Sequence, residues 1–517
     1  MKHSKKLASL LLALVMALSL AVTAFADEST TYSITINNST AGHTYEAYQI
    51  FTGDLATNEA GNKVLSNIVW GSGVSEAGQT ALGDAAAKAE TLKTEADAKA
   101  FAKAVAPYLT TAAGSANTVT DGKYVISGLA AGYYLVKDQD GSLIGDNDSY
   151  TEYIIQVVGN VTATPKSDVP EVQKKVKDIN DSTDTTKTDW QDSADYDIGD
   201  SIPFQLKATL ADNVSSYTTY KVVFHDTLSK GLTYNKDAKV YIDGTETNGF
   251  TVTATVNADG TTTLTVSCDD VKALGAGNSS VITVEYTAKL NENAVLGSAG
   301  NPNEVYLEYS NNPNKSENGN NETGETPKDV VIVFTYKTII NKVDSETKPL
   351  TGAAFKLEKL IKGEDGAADT WTTVKEFAVD GTTTSFTFSG LDDGQYKLTE
   401  TKTPVGYNTI DPIYFVIEAT HGETADVPTL KTLNAYLTDA NGNKQTEMKD
   451  GESVNIDLGT VDLTAGSITT TVVNKSGSEL PSTGGIGTTI FYVLGGVLVL
   501  AAVVLLVTKK RMSGAEK

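Results

Sequence analysis

The stretch Phe250-Thr251-Val252-Thr253-Ala254-Thr255-Val256 alternates apolar residues with threonines, and Leu264-Thr265-Val266 repeats the alternation. Successive side chains of a β-strand point to opposite faces of a sheet, so a period of two indicates a strand. Similar short runs, separated by turn-forming residues, recur between residues 27 and 475. At this length the pattern predicts an all-β protein built from several antiparallel β-sandwich domains in tandem.

One segment departs from this pattern. The residues from Gln79 to Tyr108 are mainly Ala, Lys and Glu. Their apolar residues recur near helical spacing, at Leu82, Ala85, Ala89, Leu92, Ala96, Phe101 and Val105. This periodicity predicts a helical insertion in the first, N-terminal domain.

Two polar stretches indicate where the domains join. Asp178 to Asp200 is acidic, and Asn311 to Asp329 is rich in Asn and Glu. Either stretch is typical of a joint or a solvated loop, and the acidic one lacks the ordered ligand spacing of a calcium loop. The predicted domains are therefore residues 27–166, 167–327 and 328–475.

The N-terminal residues are typical of an exported protein. Lys2, Lys5 and Lys6 precede an uncharged apolar run over residues 7–20, and Ala24-Phe25-Ala26 follows. A charged start, a short apolar run and small residues at the end form a signal peptide. We predict cleavage after Ala26, since a membrane anchor would need a longer run.

The C-terminal region, residues 476–517, combines three features. Leu480-Pro481-Ser482-Thr483-Gly484 comes first, the uncharged apolar run 490–507 follows, and Lys509-Lys510-Arg511 comes next. The run is about long enough to cross a bilayer as a slightly short transmembrane helix. Basic residues after a span stay in the cytoplasm, so the preceding chain is expected outside the cell.

This arrangement resembles the sortase sorting signal, in which a Leu-Pro-any-Thr-Gly motif precedes a membrane span and a basic tail. In that family a sortase cysteine attacks the carbonyl between threonine and glycine and passes the threonyl group to an amine. The resemblance implies cleavage between Thr483 and Gly484. The mature chain would run from Asp27 to Thr483 and be attached covalently at the cell surface.

The composition excludes several functional classes. A formal net charge of −24 argues against binding nucleic acid or an anionic membrane, and the single Cys268 excludes an internal disulfide. No spacing typical of a metal site or a Cys-His pair is present. His225 precedes Asp226, but neighbours on a strand point to opposite faces. We therefore expect no cofactor, no bound metal and no enzymatic activity. The histidines are His3, His43, His225 and His421.

The third domain contains three informative strings. Ile339-Ile340-Asn341-Lys342-Val343-Asp344 opens it, Tyr396-Lys397-Leu398-Thr399-Glu400-Thr401-Lys402-Thr403-Pro404-Val405-Gly406-Tyr407 lies inside it, and Thr471-Val472-Val473-Asn474-Lys475 closes it. They resemble the collagen-adhesin B-type Ig-like domain, and the middle string matches the pilin E-box. In that family a first-strand lysine joins a last-strand asparagine by a spontaneous isopeptide bond. The resemblance implies an Ig-like fold with Lys342 joined to Asn474 and Glu400 as the catalyst.

Such a bond has a clear physical requirement. The lysine must lose its proton to become a nucleophile, and burial lowers the pKa of an amine while raising that of a carboxyl. A neutral Glu400 could then donate a hydrogen bond to the asparagine carbonyl and transfer a proton as ammonia leaves. Because the reaction is a single intramolecular event, it does not make the protein an enzyme.

A second set of residues repeats this logic in the second domain. Alternation places Val172, Lys174 and Val176 on one face of a strand, while Asn303 lies on the apolar face of a later strand and Asp226 near the end of another. The region resembles the isopeptide-forming second domain of fimbrial proteins, whose acid is usually an aspartate. The resemblance implies a Lys174–Asn303 bond with Asp226 as the catalyst. For each set the alternative is an exposed lysine and a turn asparagine.

A polymerising chain also needs an acceptor lysine. In shaft pilins this residue ends a Tyr-Pro-Lys-Asn pattern after the first domain, and this chain has Thr164-Pro165-Lys166-Ser167 there. The Pro-Lys pair matches and the flanking residues differ, so Lys166 is the predicted acceptor and an ordinary linker lysine the alternative. The strand Tyr32 to Asn37 contains no lysine, and we predict no isopeptide bond in the first domain.

Together the resemblances imply a major pilin, the shaft subunit of a Gram-positive sortase-assembled pilus or fimbrium. The expected partners are pilin-specific and housekeeping sortases, identical subunits, minor pilins and cell-wall peptidoglycan. A monomeric wall-anchored adhesin would carry the same sorting signal without using Lys166. A basal or minor pilin is the third alternative.

Overall fold

The computed structural model describes residues 30–57, 61–165, 168–183, 189–316, 322–363, 367–449 and 451–477. The predicted signal peptide, Lys166, and the motif, apolar run and basic tail of the sorting signal lie outside these ranges. Within them, no helix has the length and apolar character needed to cross a membrane. The described residues form three successive β-sandwich units, which confirms the all-β prediction.

The first unit packs a small sheet against a larger one. Among described residues the small sheet has the order β5-β1-β8, and the larger has the order β3-β2-β6-β7 with β4 beside β2. Its elements are β1 (Tyr32–Asn37), β2 (Tyr45–Thr57), β3 (Lys63–Trp70), α1 (Glu76–Leu82), α2 (Ala85–Thr91), α3 (Glu95–Val105), a 3₁₀ turn (Ala106–Tyr108), β4 (Gly114–Ala116), β5 (Lys123–Leu129), β6 (Gly132–Asp138), β7 (Glu152–Val157) and β8 (Val161–Ala163).

The helices of the first unit confirm the predicted insertion. α3 begins at a capping box, in which Thr94 and Asp97 satisfy each other's free backbone N–H groups. Phe101 and Val105 of α3 are buried, and they pack with Phe51 of β2. The helical period therefore marks the apolar stripe that packs on the larger sheet.

The second unit is a sandwich of two larger sheets. Among described residues their orders are β15-β14-β18-β11-β9, with β13 beside β18, and β10-β21-β19-β12-β17-β16, with β20 beside β19. The strands are β9 (Glu171–Val176), β10 (Ser193–Asp195), β11 (Ser201–Thr209), β12 (Val222–Leu228), β13 (Leu232–Tyr234), β14 (Lys239–Ile242), β15 (Thr245–Thr247), β16 (Thr251–Val256), β17 (Thr262–Cys268), β18 (Val281–Leu290), β19 (Asn301–Ser310), β20 (Thr323–Glu325) and β21 (Asp329–Phe334).

Period-two patterning has different outcomes in two strands of this unit. β18 alternates as its sequence predicts, with Ile282, Val284 and Tyr286 buried. β16, the most regular stretch in the sequence, is a strand but all of its residues are exposed. It lies at the edge of its sheet beside β17 alone, so its valines do not reach the core between the sheets.

The third unit continues directly from the second. Among described residues its sheets have the orders β25-β22-β32-β31 and β24-β23-β26-β27-β28. The hairpin β29-β30 lies between β28 and β31 along the chain. The strands are β22 (Tyr336–Val343), β23 (Ala354–Ile361), β24 (Thr370–Glu376), β25 (Ser385–Leu391), β26 (Gly394–Lys402), β27 (Ile413–His421), β28 (Leu430–Thr438), β29 (Thr446–Lys449), β30 (Glu452–Asn455), β31 (Thr460–Asp462) and β32 (Ser467–Val473).

The junction between the second and third units differs from the composition-based boundary at residue 327. β21 pairs antiparallel with β19 and parallel with β10, and so completes a sheet of the second unit. Only Thr335 separates β21 from β22. The apolar run that follows the polar stretch could complete either unit, and its pairing with β19 and β10 assigns it to the second.

The acidic stretch after β9 lies between the second and third units. Ile198 N donates a hydrogen bond to Gly390 O at 3.0 Å, and Asp192 N donates to Glu423 O at 2.8 Å. From the third unit Lys359, which is 2% exposed, pairs with Asp197 at 2.6 Å. The described part of this stretch is therefore a joint, one of the two possibilities that its composition left open.

Candidate functional site

A lysine, an aspartate and an asparagine side chain meet in the core of the second unit. Lys174 lies on β9 in one sheet, and Asp226 and Asn303 lie on β12 and β19, which pair with each other in the other sheet. All three residues have 0% exposure. The neighbouring Lys175 side chain is 31% exposed and pairs with Asp192. The strand alternation thus directs Lys174 to the core and Lys175 away from it.

Tyr286 of β18 connects these three side chains. Its hydroxyl donates to Asp226 Oδ2 at 2.5 Å and accepts from Lys174 Nζ at 3.2 Å and Asn303 Nδ2 at 2.8 Å. Lys174 Nζ also donates to Asp226 Oδ1. A tyrosine hydroxyl has one proton and two lone pairs, so all three are used. Asn303 Oδ1 has no hydrogen-bond partner among the described residues.

Burial shifts the pKa values of Lys174 and Asp226 in the direction that amide formation needs. Burial lowers the pKa of Lys174, although the charge of Asp226 opposes this effect. Burial likewise raises the pKa of Asp226, against the charge of Lys174. Both shifts favour transfer of the proton from the amine to the carboxyl. The rings of Phe204 and Tyr286, each 5.6 Å from Lys174 Nζ, exclude water from the amine.

The third unit holds a second arrangement of the same kind. β22 and β32 run parallel with Lys342 opposite Val472, and Asn474 follows the end of β32. Glu400 lies on β26 in the other sheet. Lys342 and Asn474 have 0% exposure and Glu400 has 6%. The two sheets thus enclose the three side chains that the E-box resemblance singled out.

Hydrogen bonds fix the orientation of the Asn474 amide. Its Nδ2 donates to Glu400 Oε2 at 3.0 Å and to Asn408 O at 2.8 Å. A backbone carbonyl only accepts, so the amide nitrogen must face Asn408. Asn474 Oδ1 and Glu400 Oε1 have no partner among the described residues. Thr403, a residue of the E-box string, donates to Glu400 Oε2 at 3.0 Å.

Two backbone carbonyls hold the Lys342 amine, and its pKa is lowered. Its Nζ donates to Val472 O at 3.0 Å and to Val343 O at 3.3 Å. Burial lowers its pKa to about 8, although the charge of Glu400 opposes this effect. About a tenth of the amine is therefore neutral at pH 7, and the neutral form is the one that can attack a carbonyl carbon.

The first unit has a different buried polar group. His43 is 1% exposed, and its ring nitrogens lie 2.7 Å from Asp138 Oδ1 and 2.8 Å from Asp148 Oδ2. Lys137, in the position where the E-box has glutamate, pairs with Asp140 near the surface. Among the described residues of this unit, no lysine is fully buried beside an asparagine.

Sequence reasoning missed Tyr286 and the Asn408 carbonyl. The signal for Tyr286 was available, because it follows Ile282 and Val284 at a spacing of two and so shares their buried face. Nothing in the spacing could show that its hydroxyl meets residues of three other strands. The acceptor Lys166 and the cleavage pair Thr483 and Gly484 lie outside the described residues.

Three segments of the chain match known protein families. Residues 198–313 match the Gram-positive pilin backbone subunit 2, Cna-B-like domain, and residues 337–431 match a SpaA prealbumin-like fold domain. Residues 472–513 match the LPXTG cell wall anchor motif. The first two segments lie in the second and third units, and each contains the predicted catalytic acid, Asp226 or Glu400.

Individual proteins are similar over most of the chain. The trypsin-resistant surface T6 protein of Streptococcus pyogenes serotype M6 is 27% identical over 448 residues, which cover 76% of this chain and 77% of that protein. The structure of the T6 backbone pilin, described as modular and three-domain, superposes with a TM-score of 0.55 at 20% identity. That superposition covers 87% of this chain and 100% of the other. The structure of the major pilin SpaD of Corynebacterium diphtheriae superposes with a TM-score of 0.49 at 18% identity. That superposition covers 88% of this chain and 99% of the other.

Proposed function

We propose that this chain, a Gram-positive backbone pilin with an LPXTG cell-wall anchor, is polymerised by a sortase into the covalent shaft of a pilus. Two intramolecular isopeptide bonds would stabilise each subunit. The observation that carries the proposal is the pair of buried lysine–acid–asparagine clusters, one in each of the two units that follow Lys166. Burying a lysine costs free energy unless the buried amine has a role in the fold. This chain buries one lysine in each of the two clusters, Lys174 and Lys342.

The subunit joint would connect Thr483 of one chain to Lys166 of the next. The sortase thiolate attacks the Thr483 carbonyl carbon, and Gly484 departs with the C-terminal segment. The Lys166 amine then attacks the resulting thioester, a C–N bond forms and the thiolate is released. Lys166 falls in the sequence between β8 and β9, so the joint would enter each subunit just before the second unit.

The internal bonds would form by one reaction in each cluster. The neutral lysine amine attacks the asparagine Cγ, and the carboxylate of Asp226 or Glu400, the latter 3.0 Å from Asn474 Nδ2, takes up the lysine proton. The new C–N bond replaces the old one, the lysine proton passes through the acid to the leaving nitrogen, and ammonia departs. Lys174–Asn303 would join the two sheets of the second unit, and Lys342–Asn474 would join β22 to the chain after β32.

Polymerisation can be tested on the cell surface. The wild-type chain is expected to give a ladder of covalent multimers that survives boiling in detergent, and Lys166→Ala is expected to abolish it. Lys123→Ala, which removes an exposed lysine of the first unit, is the matched control and should leave the ladder intact. A single wall-linked band from the wild type would instead support a monomeric adhesin. Peptide mapping that joined Thr483 to another lysine, such as Lys137, would refute the assignment of Lys166.

A further inference from the structure

A group of ionisable side chains lies where the second and third units meet. Asp178 follows β9, Asp195 ends β10, and His421 ends β27 of the third unit. Each offers one ligand atom within 4.8 Å of the other two. We call these three residues the joint cluster. Its members come from both sides of the junction, so anything that binds all three also ties the two units together.

The distances within the joint cluster are long for hydrogen bonds. His421 Nε2 lies 3.5 Å from Asp178 Oδ2 and 3.7 Å from Asp195 Oδ1. N–H···O hydrogen bonds are normally 2.7 to 3.2 Å long, so neither contact is a good one. Two ligands that each bind a tetrahedral Zn²⁺ at about 2.0–2.1 Å are roughly 3.4 Å apart. The observed separations are therefore close to the distance between two ligand atoms of one tetrahedral metal ion.

His43 provides an internal comparison. It also lies between two aspartates, but there the nitrogen–oxygen distances are 2.7 and 2.8 Å. Those are direct hydrogen bonds, and they leave no room for an ion between the atoms. A set of one histidine and two aspartates thus adopts a closed arrangement in the first unit and an open one at the joint.

A hydrogen bond sets the orientation of the His421 ring. Its Nδ1 lies 2.7 Å from Ser193 Oγ. When Nδ1–H donates to Ser193 and the Nε2 proton is released, Nε2 presents its lone pair to the two carboxylates. Metal-binding histidines are commonly held in this way by a partner on the other ring nitrogen.

Asp195 supplies the independent sign of a missing partner. It is 2% exposed, and its Oδ2 has no hydrogen-bond partner among the described residues. Its carboxylate also lies within 4.8 Å of those of Asp392 and Asp393. Lys359 pairs with Asp392 and Asp197 and so does not neutralise Asp195. A buried carboxylate oxygen without a partner is costly, and a divalent cation would remove that cost.

We propose that Asp178, Asp195 and His421 bind one Zn²⁺ ion that bridges the second and third units. One imidazole and two carboxylates suit zinc, whereas calcium and magnesium prefer oxygen ligands alone. A water molecule would complete the tetrahedron. The Asp178 side chain is 21% exposed and provides a path for the ion from solvent.

Zinc binding can be measured on the exported chain, residues 27–483, after removal of metals with a chelator. Elemental analysis of the reloaded chain should find about one Zn²⁺ per molecule. Competition with a fluorescent chelator should show that H421Q weakens binding by about 100-fold. H225Q is the matched control, because His225 is partly exposed on β12 and pairs with Glu308, and its affinity should be unchanged. Equal binding by H421Q and the wild type would overturn the proposal.

Two further measurements keep the test independent of any folding defect in H421Q. S193A retains all three ligands and removes only the partner of Nδ1, so it should bind Zn²⁺ about tenfold more weakly. Undiminished binding by S193A together with D195N would refute the site. Titration with Ca²⁺ should show no binding at the joint cluster. Calcium binding that excludes zinc would also overturn the proposal.

Discussion

The hydroxyl of Tyr286 donates a hydrogen bond to Asp226 Oδ2 at 2.5 Å. The same hydroxyl accepts from the amide of Asn303 and from the amine of Lys174. It therefore fixes the distances among the three groups of the proposed reaction, and it does so from a strand that contributes none of them. We expect Tyr286 to act as a positioning residue, a role that differs from that of the acid.

Replacing Tyr286 with Phe should slow the Lys174–Asn303 bond while preserving the packing of the ring against Phe204. We expect formation to be roughly tenfold slower or more, because the amide and the acid lose their common hydrogen-bond partner. Intact-mass measurements during refolding of the unlinked chain would follow the loss of one ammonia. Tyr234→Phe, whose ring contacts that of Tyr286, is the control and should react at the wild-type rate. An unchanged rate in Tyr286→Phe would contradict the positioning role.

Each catalytic acid should control one bond only. The wild-type folded chain is expected to weigh two ammonia masses less than its sequence mass, whereas Asp226→Ala and Glu400→Ala should each lack one ammonia loss. Lys175→Ala and Lys337→Ala are matched controls, since each replaces a partly exposed lysine on the strand that carries Lys174 or Lys342. A wild-type mass with no deficit would refute both bonds.

The rate of the Lys342–Asn474 reaction should depend on pH in a specific way. If the proton of Lys342 moves to Glu400 before attack, the reacting state contains as many protons as the ion pair. The rate should then be nearly constant just below pH 8 and fall above it, where that proton is lost, because burial lowers the pKa of Lys342 to about 8. Refolding the unlinked chain at a series of pH values would measure this. A rate that rises through pH 8 would show that Glu400 need not hold the proton.

The first unit should lose stability as the pH rises. Burial alone would lower the pKa of His43, but its hydrogen bonds to Asp138 and Asp148 outweigh this effect and raise the pKa to about 9 from the ordinary 6.5. The stabilisation is complete below pH 6.5 and is lost as the pH rises through 9, with a total of about 3 kcal/mol.

Urea unfolding can test this pH dependence through the fluorescence of Trp70, with Trp190 and Trp371 replaced by Phe. His43→Gln should flatten the pH dependence between pH 6.5 and 9, and His225→Gln should leave it unchanged. A first unit equally stable at both pH values would contradict the charge assigned to His43.

The sequence was most informative where a residue's environment depends on its own strand or helix. Alternation alone directs Lys174 toward the core, and the E-box string identifies Glu400. It failed where separate elements come together. The apolar run of β21 could have paired in either unit, and β16 shows that alternation does not guarantee a neighbouring sheet. Likewise Asp178, Asp195 and His421 have no recognisable spacing, because docking of two units brings them together.

The pairing of β19 with β21 determines how the strands of a stretched subunit would separate. If both isopeptide bonds form, tension passes from Lys174 to Asn303, then along residues 304–341 to Lys342 and Asn474. Asn303 lies opposite Val331, so the force pulls on adjacent ends of an antiparallel pair and opens its hydrogen bonds one at a time. At 3.3–3.6 Å per residue the released segment could extend to roughly 130 Å.

The covalent bonds would then stop any further extension, so each subunit could lengthen only up to a fixed maximum. The joint cluster links residues on both sides of this segment, Asp178 and Asp195 before it and His421 after it. A bound ion would therefore have to be released before the segment could lengthen fully. The extensibility of the fibre would in that case depend on the zinc concentration around the cell.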